Sequence, residues 1–267
     1  MLTVEQLLEE WDGLLGAPAW ATSGLDELDR ATGGFGRGQV WVVTAVAGQG
    51  RTSLLTQWAV RLAGQGRPTR LVCPREPRAA VAARLLACAG RVPLSHLFPR
   101  RDPDRAGHDR GRGALRDLPL HVAGAGELTF LDTDALDDAL PPAEAVLVDD
   151  ADLVAGAFPD RLAGLARDGA FVVASLPRHL VVRDDADGRY LDPTWAAVAD
   201  VVLEIRQCAW PGSAESLRPG EADLHLVRNR RGPTRTLPVA FEGHYARFVD
   251  LLTPDRSPSA VSRRDGR

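Results

Sequence analysis

Val40-Trp41-Val42-Val43-Thr44-Ala45-Val46-Ala47-Gly48-Gln49-Gly50-Arg51-Thr52 is the stretch that decides the fold. Its first half is β-branched, aromatic and apolar without alternation, as in a strand covered on both faces of a sheet. A glycine-rich turn follows at residues 47–50, and residues 52–63 have helix composition. Strand, glycine turn and helix in immediate succession are the setting of a phosphate-binding loop. Small residues let successive backbone N–H groups point inward around an anion. Gly48 and Gly50 supply that freedom, and the positive end of the helix near Thr52 faces the same point. The Thr52 hydroxyl would lie on Mg2+. Against the usual pattern GxxxxGK[ST], Ala45 replaces the first glycine and Arg51 replaces the lysine. A guanidinium is larger and planar where an ammonium is compact. Taken alone, the stretch reads either as a nucleotide cradle or as an ordinary glycine turn.

Working outward, short apolar runs at 70–73, 118–122, 145–148, 170–174 and 201–205 read as strands. Helical patterns lie between them at 78–89, 133–140 and 159–167. Alternation of this kind predicts an α/β fold, a mainly parallel sheet with helices on both faces. Residues 223–228, 236–241 and 246–249 read as a terminal antiparallel meander. Val146-Leu147-Val148-Asp149-Asp150 is a strand ending in acid, which offers a carboxylate to Mg2+ or is simply a solvated strand end. Its pairing with the glycine turn in a βαβ pattern is far more specific than either alone. Charged residues at 99–116, and Arg, Asp and Gly at 178–193, read as loops.

Residues 3–15 read as an amphipathic helix. Val4, Leu7, Leu8, Trp11, Leu14 and Leu15 form one stripe, and Thr3 caps it with Gln6 three residues on. Such a stripe needs its own domain or a neighbouring subunit to pack on. The expected division is a linker-like helix over 1–18, one domain over 19–252 and a Pro/Ser/Arg-rich disordered tail over 253–267.

Composition narrows the partners. A net charge of -4 over 267 residues leaves nucleic-acid contact to local patches. All 32 basic residues are arginine and none is lysine, a bias that fits GC-rich coding. Cys73, Cys88 and Cys208 have no zinc-ligand spacing, and their odd number argues against a disulfide framework. The six histidines form no cluster in sequence, and Trp20, Trp41, Trp58, Trp195 and Trp210 read as packing residues. With no signal peptide and no long apolar span, a cytoplasmic protein without membrane partners is expected.

Several segments together resemble one family. Residues 22–38, Thr-Ser-Gly-Leu-Asp-Glu-Leu-Asp-Arg-Ala-Thr-Gly-Gly-Phe-Gly-Arg-Gly, look like the opening of the motor domain of DnaB-type replicative hexameric DNA helicases. That family's phosphate loop also begins with alanine, as at Ala45. Leu71-Val72-Cys73-Pro74-Arg75-Glu76-Pro77, Arg84-Leu85-Leu86 and Gly90-Arg91-Val92 continue the likeness. So do Gly220-Glu221-Ala222-Asp223, Val227-Arg228-Asn229-Arg230-Arg231-Gly232-Pro233-Thr234, and Tyr245-Ala246-Arg247-Phe248. The resemblance runs over roughly residues 4–251 and implies a RecA-like P-loop NTPase.

It implies roles as well. Ala47, Gly48, Gln49, Gly50, Arg51, Thr52 and Ser53 would hold ATP, with Thr52 and Asp149 on Mg2+. Glu76 would activate the attacking water. Arg230 would be the arginine finger reaching a neighbour's site, with Arg228 in place of a lysine beside it. The implied partners are a homo-oligomer, expected to be a hexameric ring, then single-stranded DNA and replication proteins. The helix over 3–15 is similar to the family's linker helix, which docks on the adjacent subunit.

The chain departs from the family at four places. No counterpart of the family's N-terminal domain is expected. Arg51 replaces the P-loop lysine. Leu176 and Pro177 follow Ser175 where the family has a glutamine that senses the γ-phosphate. Tyr190-Leu191-Asp192-Pro193 occupies the place of its DNA-backbone contact, although Arg178, Arg183 and Arg189 carry charge nearby. Two readings follow: an ATP-hydrolysing helicase motor, or a degenerate ring or scaffold that binds nucleotide without hydrolysis and modulates a true helicase. A recombinase-like filament is a third.

Overall fold

The computed structural model describes residues 3–14, 18–97, 104–125, 142–154, 158–185, 188–207 and 218–251. The expected helix over 133–140, the tail over 253–267, Leu15, Cys208 and Trp210 lie outside these residues.

The helices are α1 (Val4–Leu14), α2 (Asp26–Thr32), α3 (Arg51–Gly64), α4 (Arg78–Gly90), α5 (Arg105–Leu115), α6 (Phe158–Arg167) and α7 (Pro193–Val198). The strands are β1 (Val40–Ala45), β2 (Thr69–Pro77), β3 (Leu120–Ala125), β4 (Ala145–Val148), β5 (Phe171–Pro177), β6 (Val182–Asp185), β7 (Gly188–Leu191), β8 (Val201–Gln207), β9 (Glu221–Asn229), β10 (Thr236–Glu242) and β11 (Arg247–Asp250). A nine-stranded sheet runs in the order β11-β10-β9-β8-β1-β5-β4-β2-β3. From β8 to β3 every neighbouring pair is parallel, and β9, β10 and β11 join antiparallel at one edge. The α/β class and the terminal meander are as the sequence implied.

Alternate residues of β1 face opposite cores. Trp41, Val43 and Ala45 join the layer beneath α3 and α4. Val40 and Val42 join the layer that holds Leu162 of α6 and Trp195 of α7. On α3, Leu54, Leu55, Trp58, Ala59 and Leu62 recur at helical spacing and are buried. Trp58 meets Trp41 edge-on at 5.8 Å, and Phe35 stacks on Phe171 at 4.6 Å. This aromatic block fixes β1 and α3, and so the turn between them.

Two segments expected to be loops are ordered elements. Residues 105–115 form α5, capped by Asp104, whose carboxylate accepts from the Gly107 N–H at 2.8 Å. Gly107 and Gly111 are buried against α4, so closely that a Cβ on Gly90 would lie 2.4 Å from the Gly107 carbonyl. Arginines hide that contact in the sequence, because Arg105, Arg110 and Arg112 are exposed while the glycines carry the packing. Within 178–193, β6 and β7 pair as an antiparallel hairpin and α7 follows under an Asp192 cap.

The first helix has the expected capping box. Gln6 N–H donates to Thr3 Oγ1 at 3.2 Å, and Thr3 N–H to Gln6 Oε1 at 2.9 Å. Val4, Leu7, Leu8 and Trp11 are more than half exposed. Among the described residues no helix is long and apolar enough to cross a membrane.

Candidate nucleotide site

β1 is flanked by parallel β5 and β8, and its carboxyl end opens onto a cavity of about 650 Å³. Ligands of open parallel sheets bind at this edge. Ala45, Val46, Ala47, Gly48, Arg51 and Thr52 line one side, and Arg75, Glu76, Arg84, Asp150, Arg178 and His179 the other. Four arginines against two carboxylates give the cavity a field that favours anions.

The turn has the backbone that a phosphate loop requires. Gly48 and Gly50 have φ of 83° and 100°, the left-handed region that favours glycine. At Gly50 a side chain is also excluded sterically, since a Cβ would lie 2.8 Å from Phe248 Cζ. Gly50 is the N-terminal cap of α3, whose first-turn N–H groups have no intrahelical acceptor. Gln49 is largely buried at the tip of the turn, and Ser53 is buried one residue into α3 beyond Thr52.

Beside the turn, the Thr52 hydroxyl donates to Asp149 Oδ2 at 2.7 Å. Ser175 Oγ bonds the other oxygen of Asp149 and also accepts from the Asp150 N–H at 2.9 Å. The first turn of α3 and the ends of β4 and β5 thus bring a hydroxyl, a carboxylate and a second hydroxyl together. Burial pushes the Asp149 carboxyl above its usual range, against the hydrogen bonds from Ser175 and Thr52. A nearly enclosed carboxylate next to a hydroxyl is a donor set that suits a hard divalent cation.

Asp150 turns the other way. Its φ of 44° is rare outside glycine and tolerated by aspartate. It receives Arg51 Nη2 at 2.8 Å and Arg75 Nε at 2.7 Å. Arg51 also approaches the Ala45 carbonyl at 3.4 Å. Glu76, at the end of β2, is held by Arg84 from α4. Arg84 Nε lies 2.9 Å from Oε2 and Nη2 lies 2.7 Å from Oε1. Those bonds raise the Arg84 guanidinium above its ordinary value.

Arg228 and Arg230 are not gathered here. β9 runs antiparallel to β8, so its end lies at the opposite edge of the sheet, where Asn229 pairs with Val201. Arg230 Nη1 binds Asp200 Oδ1 at 3.0 Å, and the Arg228 Nε is buried without a hydrogen-bond partner among the described residues. Asn229 braces this turn by donating to the Ala31 carbonyl at 2.9 Å.

Sequence reasoning noted Asp150 at the acidic strand end without giving it a role, and it missed Arg206 and the grip of Arg84 on Glu76. It also missed Glu204, whose signal was available: an acid inside Val201-Val202-Leu203-Glu204-Ile205 must have buried partners. Cys73 and Cys88 are free thiols, and no metal-binding cluster of His, Cys, Asp or Glu occurs among the described residues.

A central β1, a glycine turn capping α3 and acids at the ends of β2 and β4 define a RecA-like P-loop domain. A solved ATPase domain superposes with a TM-score of 0.76 at 18% identity, over 92% of this chain and 98% of that one. A DnaB-like replicative helicase, solved with its interactions with primase, gives 0.73 at 18% identity over 94% of this chain and 67% of that one. No family model matches the sequence. Replicative DNA helicase DnaB of Leifsonia xyli subsp. xyli (strain CTCB07) is 28% identical over 264 residues, which cover 88% of this chain and 57% of that protein. The chain thus shares the RecA-like fold of these solved domains and is similar in sequence to that DnaB helicase, and it spans little more than half the length of that relative.

Proposed function

We propose that this domain binds MgATP at the interface between protomers of a ring, hydrolyses it, and acts as the motor of a DnaB-type helicase on single-stranded DNA in replication. One observation carries the reading: the glycine turn, Thr52 and Glu76 line a single arginine-rich cavity, with Asp149 hydrogen-bonded to Thr52 just behind its wall. Arg230 is braced at the opposite edge of the same sheet.

ATP would supply the γ-phosphoryl group, and Mg2+ would offset its negative charge. N–H groups of residues 47–53 would wrap the phosphates, and Thr52 with Asp149 would hold the cation. Arg51 would move from Asp150 to the phosphates, leaving Asp150 paired with Arg75. Glu76, released from Arg84, would orient the attacking water. Arg230 cannot reach its own cavity from the far edge, so it would complete a neighbour's site. The exposed stripe of Val4, Leu7, Leu8 and Trp11 would dock α1 on that neighbour. We place the protein in the cytoplasm with other replication proteins as partners.

The test is ATP turnover of the purified protein with and without single-stranded DNA, alongside light scattering in ATP. Turnover stimulated by DNA and abolished in Glu76→Gln is expected, from an oligomer. ATP binding with turnover at background would point to the non-hydrolysing ring instead, and a strict monomer in ATP would remove the trans finger.

A further inference from the structure

Glu204 lies in mid-strand on β8 between Leu203 and Ile205 and is 0% exposed. A carboxylate there is costly unless it is paired. Arg206, two residues along the same strand, meets both of its oxygens, from Nε at 2.9 Å and from Nη2 at 3.0 Å. Arg178 Nε meets Oε1 at 2.7 Å from the end of β5. Burial would raise the Glu204 carboxyl, but the hydrogen bonds from Arg206 and Arg178 outweigh it and hold it below its usual value.

A bidentate Arg206 already balances the charge of Glu204. The added contact from Arg178 therefore does something besides neutralisation: it fixes the direction of a guanidinium. Arg178 lines the same cavity as Arg51, Thr52 and Glu76. It comes three residues after Ser175, which holds Asp149, so β5 serves the candidate cation corner and the cavity in turn. Leu176 faces the apolar core and Pro177 has no donor, which makes Arg178 the first side chain past Ser175 able to bond a phosphate. Its donors form a planar fork, so a bond through Nε to a carboxylate is compatible with a second bond to a phosphate oxygen.

The geometry points to Arg178 as a phosphate-contacting residue that distinguishes a nucleoside triphosphate from a diphosphate, with Glu204 as its positioning residue. The inference rests on the MgATP reading of the cavity and deepens it. An arginine anchored by an acid on β8 takes the task that Leu176 and Pro177 cannot perform.

The test compares affinities of the full chain for MgADP and for a non-hydrolysable ATP analogue with magnesium, by calorimetry. Arg178→Met is expected to weaken the triphosphate analogue about tenfold to a hundredfold and to leave MgADP within about twofold. Glu204→Leu, which keeps Arg178 but removes its anchor, is expected to reduce the same preference by less. The double variant is expected to match Arg178→Met, because an anchor has no effect once its arginine is gone. Equal weakening of both nucleotides by Arg178→Met, or none, overturns the phosphate role. Additive losses in the double variant overturn the positioning role. Should Arg178→Met not fold, Arg178→Lys keeps a charge beside Glu204 but loses the planar fork, and an unchanged preference in that variant overturns the inference. A wild-type chain that binds neither nucleotide overturns the MgATP reading itself. A wild type that binds both equally overturns the inference about Arg178 alone.

Discussion

Each edge of the sheet carries an arginine–aspartate pair, and the two are built differently. At the carboxyl edge Arg51 meets Asp150 at 2.8 Å, with side chains 13% and 8% exposed. At the amino edge Arg230 meets Asp200 at 3.0 Å, and Arg230 is 55% exposed. The first pair is walled into a cavity and shares its acid with Arg75. The second projects from a turn that Asn229 pins to α2 through Ala31. Burial separates the jobs. Under the proposed function, an enclosed arginine would serve a ligand inside its own domain, and an exposed one on a braced turn would suit a site completed by another protomer.

The contrast can be broken most forcefully at the amino edge. Arg230→Ala is expected to lower ring ATP turnover by about 10³–10⁵-fold. Mixing it with Glu76→Gln should restore part of the rate, since some interfaces then combine an intact Glu76 with an intact Arg230. No recovery in a steady-state assay of mixed rings would sink the trans arrangement.

At the carboxyl edge, Glu76→Gln alone is expected to cost about 10²–10⁴-fold in turnover with little change in nucleotide affinity. A comparable loss of affinity, read by calorimetry, would mean that Glu76 binds rather than activates.

A smaller effect is expected for Arg51→Ala. It removes one of two guanidinium partners of a buried acid, and Arg75 remains, so unfolding in urea should show a loss of about 1–3 kcal/mol. Arg230→Ala should leave urea stability nearly unchanged, because an exposed pair contributes about 0–1 kcal/mol. Equal losses for the two would erase the distinction between the edges.

The smallest effect concerns pH. Asp149 is raised in the folded state, so its charge opposes folding once pH exceeds the folded value and does not below the unfolded one. Asp149→Asn is therefore expected to raise the melting temperature at neutral pH and to lose that advantage in acid. A variant that melts lower at neutral pH would show that the bonds from Thr52 and Ser175 outweigh the burial.

Legibility followed distance along the chain. The turn at 47–50 and the acid after Val148 were readable because each is a local statement, an apolar run followed by glycines or by carboxylates. The Thr3–Gln6 capping box was readable for the same reason. α5 was not, since its helix depends on glycines at 107 and 111 meeting α4, and its visible arginines describe the solvent side. The hairpin of β6 and β7 was hidden in the same way by its charged composition.

The sequence by itself determined a parallel α/β sheet, a glycine turn between β1 and α3, and an acid beside it. Backbone conformation and hydrophobic periodicity are set by residues only a few positions apart. Tertiary structure alone decided which carboxylate each arginine holds: Asp150 for Arg51, Glu76 for Arg84, Glu204 for Arg178, Asp200 for Arg230. In a chain whose cations are all arginine, nothing local tells one guanidinium from another. Their roles follow from the strand ends that the sheet brings side by side.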